Sequence, residues 1–400
     1  MSIDQEVSMD FRFTEDEKDF RMEVRNWIKK VVPERWYELD HGEWEETDES
    51  WAISREFHKK LGQKRWLAPA YPKKYGGGEI SHMKRLIIAE ELARNRAPVG
   101  VETEIAVNWV GPSILLFGTE EHKLKHAKGV ATGDLVFCLG YSEPSAGSDL
   151  ASIMTTAIED GDDYVINGSK IWTSYGHYAD YCWLVARTDP NAKKKYHGVS
   201  MFIVDMKSPG ITVRPIINIL NHHSFNEVFF NDVRVPKKDL IGEKNNGFYQ
   251  LMISLDYERS SIGVAAGLKH MLEELVELAK ERGKNNDPII RQKIAEIASS
   301  IEVSRMMCYR IAWMYSKNLH PSYESSMSMV FMSEIIRKMV QVAMDIAGPF
   351  GQLEMDSKYS ILKGRIARDY LRSLSIGIGG GTNEIQRNII AMRGLELPRK

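Results

Sequence analysis

The 400-residue chain predicts an α+β fold: an N-terminal helical domain, a middle β-barrel domain and a C-terminal four-helix bundle. Three observations predict it. Apolar residues recur three and four apart up to about residue 128. From about residue 135 they give way to short β-branched and aromatic runs punctuated by Gly, Asn and Asp, and after Gly247 long helical periodicities return. The expected domains are therefore 1–133, 134–245 and 246–400.

In the first part, Glu15 to Val31, Ser50 to Leu61 and Met83 to Leu92 carry helical apolar faces. Thr14-Glu-Asp-Glu17 reads as a helix start, a capping Thr with a Glu three residues on. Pro69, Pro72 and the Gly76 to Gly78 run break the helices. In the middle part, strands are expected at 135–140, 164–166, 171–174, 181–186, 199–204, 211–215, 227–231 and 234–236. Asp160 to Asp163 and Asn167-Gly168 read as turns between them. Eight short strands at this spacing suggest a small barrel or sandwich. The last part predicts helices at about 247–282, 288–318, 322–348, 358–374 and 382–393.

Formal charges nearly cancel at -2, so neither nucleic acid nor an anionic membrane surface is an expected partner. Cys138, Cys182 and Cys308 are too few and too scattered for a disulfide framework or a zinc site, so no metal is expected and a reducing compartment fits. The N-terminus has acidic residues and no basic, then apolar, leader. No apolar run approaches the roughly 18 residues of a membrane span. The expectation is a cytoplasmic protein.

One residue breaks its own pattern. Positions 251, 255, 258, 262 and 265 lie on one helix face; Leu251, Leu255, Ile262 and Ala265 are apolar, and Glu258 sits in the middle of the stripe. A carboxylate there is paired, neutral or at work, because desolvation makes its ionised form a stronger proton acceptor. An ion pair with Arg259 or with a basic group on a facing helix is one reading; catalysis is the other.

Three segments carry further chemistry. Phe137-Cys-Leu-Gly-Tyr-Ser-Glu-Pro-Ser-Ala-Gly-Ser-Asp-Leu-Ala-Ser152 is rich in small residues that let backbone amides and the Ser142 hydroxyl approach a planar ring closely. Ser169-Lys-Ile-Trp-Thr-Ser174 places a Trp and two hydroxyls side by side. Ile376-Gly-Ile-Gly-Gly-Gly-Thr-Asn-Glu-Ile-Gln-Arg-Asn-Ile-Ile-Ala-Met-Arg393 sets a glycine turn before a helix start whose N–H groups can face electron-rich groups. With these motifs the chain resembles the acyl-CoA dehydrogenase family over essentially its whole length.

The resemblance implies FAD as cofactor and conversion of an acyl-CoA thioester to a trans-2-enoyl-CoA, with electrons passed to an electron-transferring flavoprotein. It implies flavin contacts from Leu139, Tyr141, Ser142, Gly147, Ser148, Trp172, Thr173, Ser174, Arg282, Thr382, Glu384 and Gln386. Substrate contacts are implied for Ser148, Tyr257, Arg259 and Gly379. Many straight-chain members carry a catalytic Glu in a Tyr-Glu-Gly-Thr sequence; the matching positions here are Gly379, Gly380, Gly381 and Thr382. In another branch the base comes from the first bundle helix, just before an Arg, and Leu255-Asp-Tyr-Glu-Arg259 fits it. Glu258 is thus the implied base, with the Gly380 N–H as a donor to the thioester oxygen and room for a bulky acyl group.

The segments around 140–144, 225–236 and 387–399 resemble bacterial dehydrogenases of steroid side chains, rings and dicarboxylic acyl-CoAs, many of them heteromers. Two departures concern the cross-subunit part of the FAD site: Lys280 to Pro288 replaces the usual Arg-Lys-Thr-Phe-Gly segment, and Asp345 to Gly351 replaces the usual Gln-Ile-x-Gly-Gly-x-Gly. The expected assembly is a homotetramer or an α2β2 heterotetramer with a paralogous chain. An acyl-CoA oxidase-like enzyme and a non-catalytic subunit of a heteromeric dehydrogenase are the alternatives.

Overall fold

The computed structural model describes residues 11–39, 47–100, 103–256, 262–355 and 357–398. In chain order its principal helices are α1 (Glu15–Val31), α2 (Glu34–Glu38), α3 (Asp48–Gln63), α4 (His82–Arg94), α5 (Gly111–Phe117) and α6 (Lys128–Thr132). The strands are β1 (Phe137–Gly140), β2 (Thr156–Asp160), β3 (Asp163–Lys170), β4 (Tyr181–Arg187), β5 (Val199–Asp205), β6 (Ile211–Ile216), β7 (Phe225–Pro236) and β8 (Leu240–Ile241). Helices α7 (Gly247–Asp256), α8 (Ile262–Glu281), α9 (Pro288–Ser316), α10 (Glu324–Ala347), α11 (Arg365–Ser373) and α12 (Asn383–Ile389) follow.

Local chemistry sets the helix starts. Thr14 and Glu17 close a capping box, Glu17 N donating to Thr14 Oγ1 at 3.2 Å and Thr14 N to Glu17 Oε2 at 2.9 Å. Asp287 caps α9 ahead of Pro288, whose missing N–H costs nothing at the first helical position. The chain divides into two compact units. One comprises Met1–Trp44, Ile80–Ala97 and Arg259–Lys400; the other comprises Glu45–Glu79 and Pro98–Glu258.

The first unit is helical. Its core joins α4, α8, α9 and α10 through buried residues such as Leu86, Leu268, Ile301, Cys308 and Met339. Helix α1 is pinned to α4 by Arg21 and Arg25, which reach the fully buried carboxylate of Glu91 at 3.0 and 2.8 Å. Burial opposes ionisation of Glu91, but the two guanidiniums hold its carboxyl below the ordinary range. Among the described residues no helix is long and apolar enough to cross a membrane.

The second unit contains one eight-stranded sheet in the order β6-β7-β3-β2-β4-β5-β8, with β1 paired parallel to β4. β2 and β3 form a tight hairpin across Asp160 and Asp163, where Gly161 takes φ 61°. That turn was expected; Asn167-Gly168 is not one. Gly168 lies inside β3 at φ 145°, where the register with β7 shifts, and an added Cβ would meet Thr155 at 2.6 Å. It is a bulge, the other structure an isolated strand glycine can mark.

Other expectations need correction. Residues 227–231 and 234–236 are parts of the single strand β7, while β2 and β8 went unrecognised. Residues 171–174 are irregular rather than a strand. The helix expected at 358–374 begins only at Arg365, because Leu362, Lys363 and Gly364 are all left-handed, with φ of 48°, 52° and 77°. Of the helix expected over 247–282, α7 and α8 are the described parts, and 257–261 lie outside the described residues.

Candidate functional site

Strand β1 delivers the first motif. Its register with β4 pairs Cys138 with Cys182 and Gly140 with Leu184. A Cβ at Gly140 would come within 2.7 Å of Cys182 Sγ, so this strand end tolerates only glycine without rearrangement. The next residues fold into a tight turn in which Glu143 and Ala146 exchange both backbone hydrogen bonds, at 2.9 and 3.0 Å. Beyond it, no atom of the described residues lies within 4 Å of a Cβ added at Gly147, and Gly147 and Ser148 are exposed.

A buried ion pair joins the first motif to the second. Lys170, with no exposed surface, donates through Nζ to Glu143 Oε1 at 2.8 Å and to Tyr141 O at 3.1 Å. Glu143 also accepts from Met154 N at 2.6 Å and Thr155 N at 2.9 Å. Burial opposes its ionisation, yet Lys170 and these N–H groups hold its carboxyl below the ordinary range. Ile171 N then donates to Ser142 O at 2.9 Å. Residues 141–142 are thereby brought against residues 170–171.

The second motif has an unusual backbone. Trp172 sits at φ 59°, a strained region for a bulky residue, and its side chain is 56% exposed, edge-on to Phe225 at 6.1 Å. Thr173 is the reverse. It is buried, yet its Oγ1 has no hydrogen-bond partner among the described residues. An exposed aromatic face beside a buried, unsatisfied hydroxyl fits a flat ring with a polar edge, which the isoalloxazine of FAD supplies.

The first unit holds the third motif. Gly377, Gly380 and Gly381 take φ of 86°, 71° and 96°. Asn383 N donates to Gly377 O at 2.9 Å, and Gln386 Nε2 to Gly380 O at 3.2 Å and Gly381 O at 3.4 Å. Helix α10 holds those two side chains in turn: Ser333 Oγ accepts from Asn383 Nδ2 at 2.8 Å, and Ser326 Oγ donates to Gln386 Oε1 at 2.6 Å. Arg337 also donates to Ile376 O. Thr382 caps α12 by accepting from Ile385 N at 3.3 Å.

The N–H groups expected to stay free at this helix start are therefore largely engaged internally: Asn383 N with Gly377, Ile385 N with Thr382. Gln386 is buried with both ends of its amide used, so it shapes the turn; Glu384 is exposed. Among the described residues, no atom lies within 4 Å of a Cβ added at Gly379, and at Gly380 only Met329 Cε does, at 3.6 Å.

Arg282 is exposed and stacks over the Phe350 ring at 5.0 Å, so the two departing segments, 280–288 and 345–351, meet each other. Leu139, Tyr141, Ser142 and Ser174 are half-buried along the first two motifs. Tyr257, Glu258 and Arg259 lie outside the described residues. On their expected stripe, Leu251, Ile262 and Ala265 are buried.

Glu143, Lys170, Ser326 and Ser333 escaped the sequence reading. Neither the pair nor the serines carried a local sequence signal.

Three domain models of one family match the chain: acyl-CoA dehydrogenase N-terminal domain at residues 14–134, middle domain at 138–233 and C-terminal domain at 245–395. The acyl-CoA dehydrogenase FadE26 of Mycobacterium tuberculosis is 35% identical over 405 residues, covering 98% of this chain and 99% of that protein. Among solved structures, the ChsE4-ChsE5 complex from Mycobacterium tuberculosis matches with TM-score 0.85 and 34% identity, covering 98% of this chain and 100% of that one. The Tcur3481-Tcur3483 steroid ACAD matches with TM-score 0.86 and 31% identity, again covering 98% and 100%.

Proposed function

Because the chain belongs to the acyl-CoA dehydrogenase family, it is an FAD-dependent acyl-CoA dehydrogenase, and we propose that it acts on a bulky, branched, cyclic or dicarboxylic acyl group. The observation that carries this reading is the side-chain-free turn at Gly379 and Gly380, where among the described residues an added Cβ would meet nothing within 4 Å at Gly379 and only Met329 Cε, at 3.6 Å, at Gly380. Similarity to a structure described as a steroid ACAD supports it.

In this reading Glu258 removes the α-proton of the thioester, and the Gly380 N–H donates to its carbonyl oxygen as negative charge develops there. An α-proton is too weakly acidic at neutral pH without such a donor, each typically contributing about 3 kcal/mol to the transition state. The sequence places Leu255 and Ile262 on either side of Glu258 in its stripe, and apolar surroundings that exclude water keep an ionised carboxylate basic. Bound FAD supplies the acceptor for the β-hydride. Thr173 and Trp172 orient it, and the Glu143–Lys170 pair holds the loop that carries Ser142 against them. Electrons then pass to an electron-transferring flavoprotein. The chain assembles as a homotetramer or as an α2β2 heterotetramer with a paralogous chain, a reading supported by its similarity to the ChsE4-ChsE5 complex.

Anaerobic mixing of the holoenzyme with branched, cyclic, steroid-like and straight-chain CoA esters tests the substrate class through bleaching of the flavin band. Preferential bleaching by straight-chain esters overturns it. Glu258→Gln is expected to retain FAD and ligand binding while dehydrogenation falls about 10²- to 10⁴-fold, the usual contribution of a positioned base. Near-normal turnover in that variant defeats the assignment.

A further inference from the structure

Asn226, on β7, has no exposed surface, and its amide is engaged on both sides. Nδ2 donates to Thr173 O at 3.0 Å and to His177 Nδ1 at 3.1 Å; Oδ1 accepts from His223 Nε2 at 2.7 Å. These bonds fix both rings: His223 carries a proton on Nε2, and His177 presents a bare Nδ1. The two imidazoles stack at 3.8 Å and 17°, closing the amide in from one side. The main chains repeat the link, Thr173 N donating to Asn226 O and Asn226 N to Thr173 O, each at 3.0 Å. The Thr173 carbonyl thus receives two donors from one residue.

The neighbouring geometry needs such a clamp. A left-handed Trp172 persists only where its surroundings over-determine the backbone, and the clamp acts on the very next residue. Thr173 Oγ1 remains without a partner although both backbone groups of the same residue are bonded. The clamp holds the main chain and leaves the hydroxyl available.

We propose that Asn226, locked by His177 and His223, is the positioning residue that aims the Thr173 hydroxyl and the Trp172 ring at the flavin of bound FAD. This rests on the reading that Thr173 and Trp172 meet the flavin. Only an amide serves at 226, because one side must donate twice while the other accepts. Aspartate would set acceptors against the Thr173 carbonyl and the bare His177 nitrogen. Asparagine at 177 can still offer an oxygen where Nδ1 accepts; leucine cannot.

The test uses the full-length holoenzyme and the variants Asn226→Asp, His177→Leu, His177→Asn and Thr173→Ala, reading the FAD dissociation constant and the visible flavin spectrum, with thermal unfolding alongside. Asn226→Asp and His177→Leu are expected to weaken FAD binding about tenfold and to shift the visible band, the effect of losing one well-placed hydrogen bond. His177→Asn is expected to restore both. Wild-type FAD affinity and spectrum in Asn226→Asp and His177→Leu overturn the proposal, whatever happens to thermal stability. If Asn226→Asp does not fold, the contrast between leucine and asparagine at 177 decides. Thr173→Ala separates the two levels: no change in affinity or spectrum defeats the Thr173–flavin reading, and a change seen there but absent from the 226 and 177 variants defeats only the clamp.

Discussion

The segment Ile171 to Ser174 and the turn Ile376 to Thr382 both leave regular structure through positive φ, yet they offer opposite chemistry. The first presents side chains: an exposed indole and a buried hydroxyl with no partner. The second presents, beside Ile378, mostly bare backbone. Gly379 and Gly380 are exposed backbone, and Asn383, Gln386, Ser326 and Ser333 bond inward to keep the turn in shape. A region that works through side chains fails when a group is deleted. A region that works through bare backbone fails when a group is added. Mutational sensitivity should therefore have opposite signs at the two places.

The largest expected effect comes from deletion beneath the first region. Lys170→Met strands the buried Glu143 carboxylate, and removing one partner of a buried pair typically costs about 3–5 kcal/mol. Urea unfolding should show the loss; a change below about 1 kcal/mol would mean that the two N–H donors to Glu143 suffice alone.

Acid should single out the same unit next. Burial, with the nearby Arg55 charge, pushes His58 down to about 3, and burial pushes His177 and His126 down to about 4. Unfolded histidine titrates near 6.5, so below that pH the unfolded chain binds more protons and stability falls as pH drops toward the folded values. For His58, which is only 2% exposed, the loss by pH 5 is about 2 kcal/mol. Asn383, Gln386 and Ser333 do not titrate, so the side chains that brace the glycine turn give no such slope. His58→Gln should flatten the dependence of the urea midpoint on pH.

Addition at the second region comes third. Gly381→Ala combines φ 96° with a Cβ only 2.7 Å from Gln386 Nε2, and should destabilise by about 1–2 kcal/mol. Gly379→Ala is the smallest effect on the fold, within about 0.5 kcal/mol, because nothing among the described residues lies within 4 Å. If the turn admits a bulky acyl group, the same variant should lose activity on large CoA esters while its thermal midpoint stays put. Equal losses on large and small esters would remove steric exclusion as the explanation.

How much of this was legible in the sequence follows from how far apart the interacting residues lie. Helix α1 begins where Thr14 and Glu17 say it should, and α9 where Asp287 and Pro288 do, because a cap is complete within four residues. Ile171 to Ser174 looks like a strand by composition, but its backbone is set by Ser142 and Asn226, neither of them near in sequence. Glu143 and Lys170 stand 27 residues apart, and nothing local announces that each is the other's buried counterion. The three motifs were recognisable as words; which residues brace them was not. Glu258, the most informative single residue of the sequence, lies outside the described residues.

The pairing of Thr173 with Asn226 also has a consequence in time. Fifty-three residues separate the two. A ribosome adding about 5–20 residues per second produces the second partner roughly 3–10 s after the first. Until β7 leaves the exit tunnel, the nascent chain has a Trp and a Thr but no means of holding them in place. Cofactor loading must then wait for the middle of the protein to be finished, and a translational pause placed between those two codons would lengthen the interval in which the indole stands exposed on an unformed sheet.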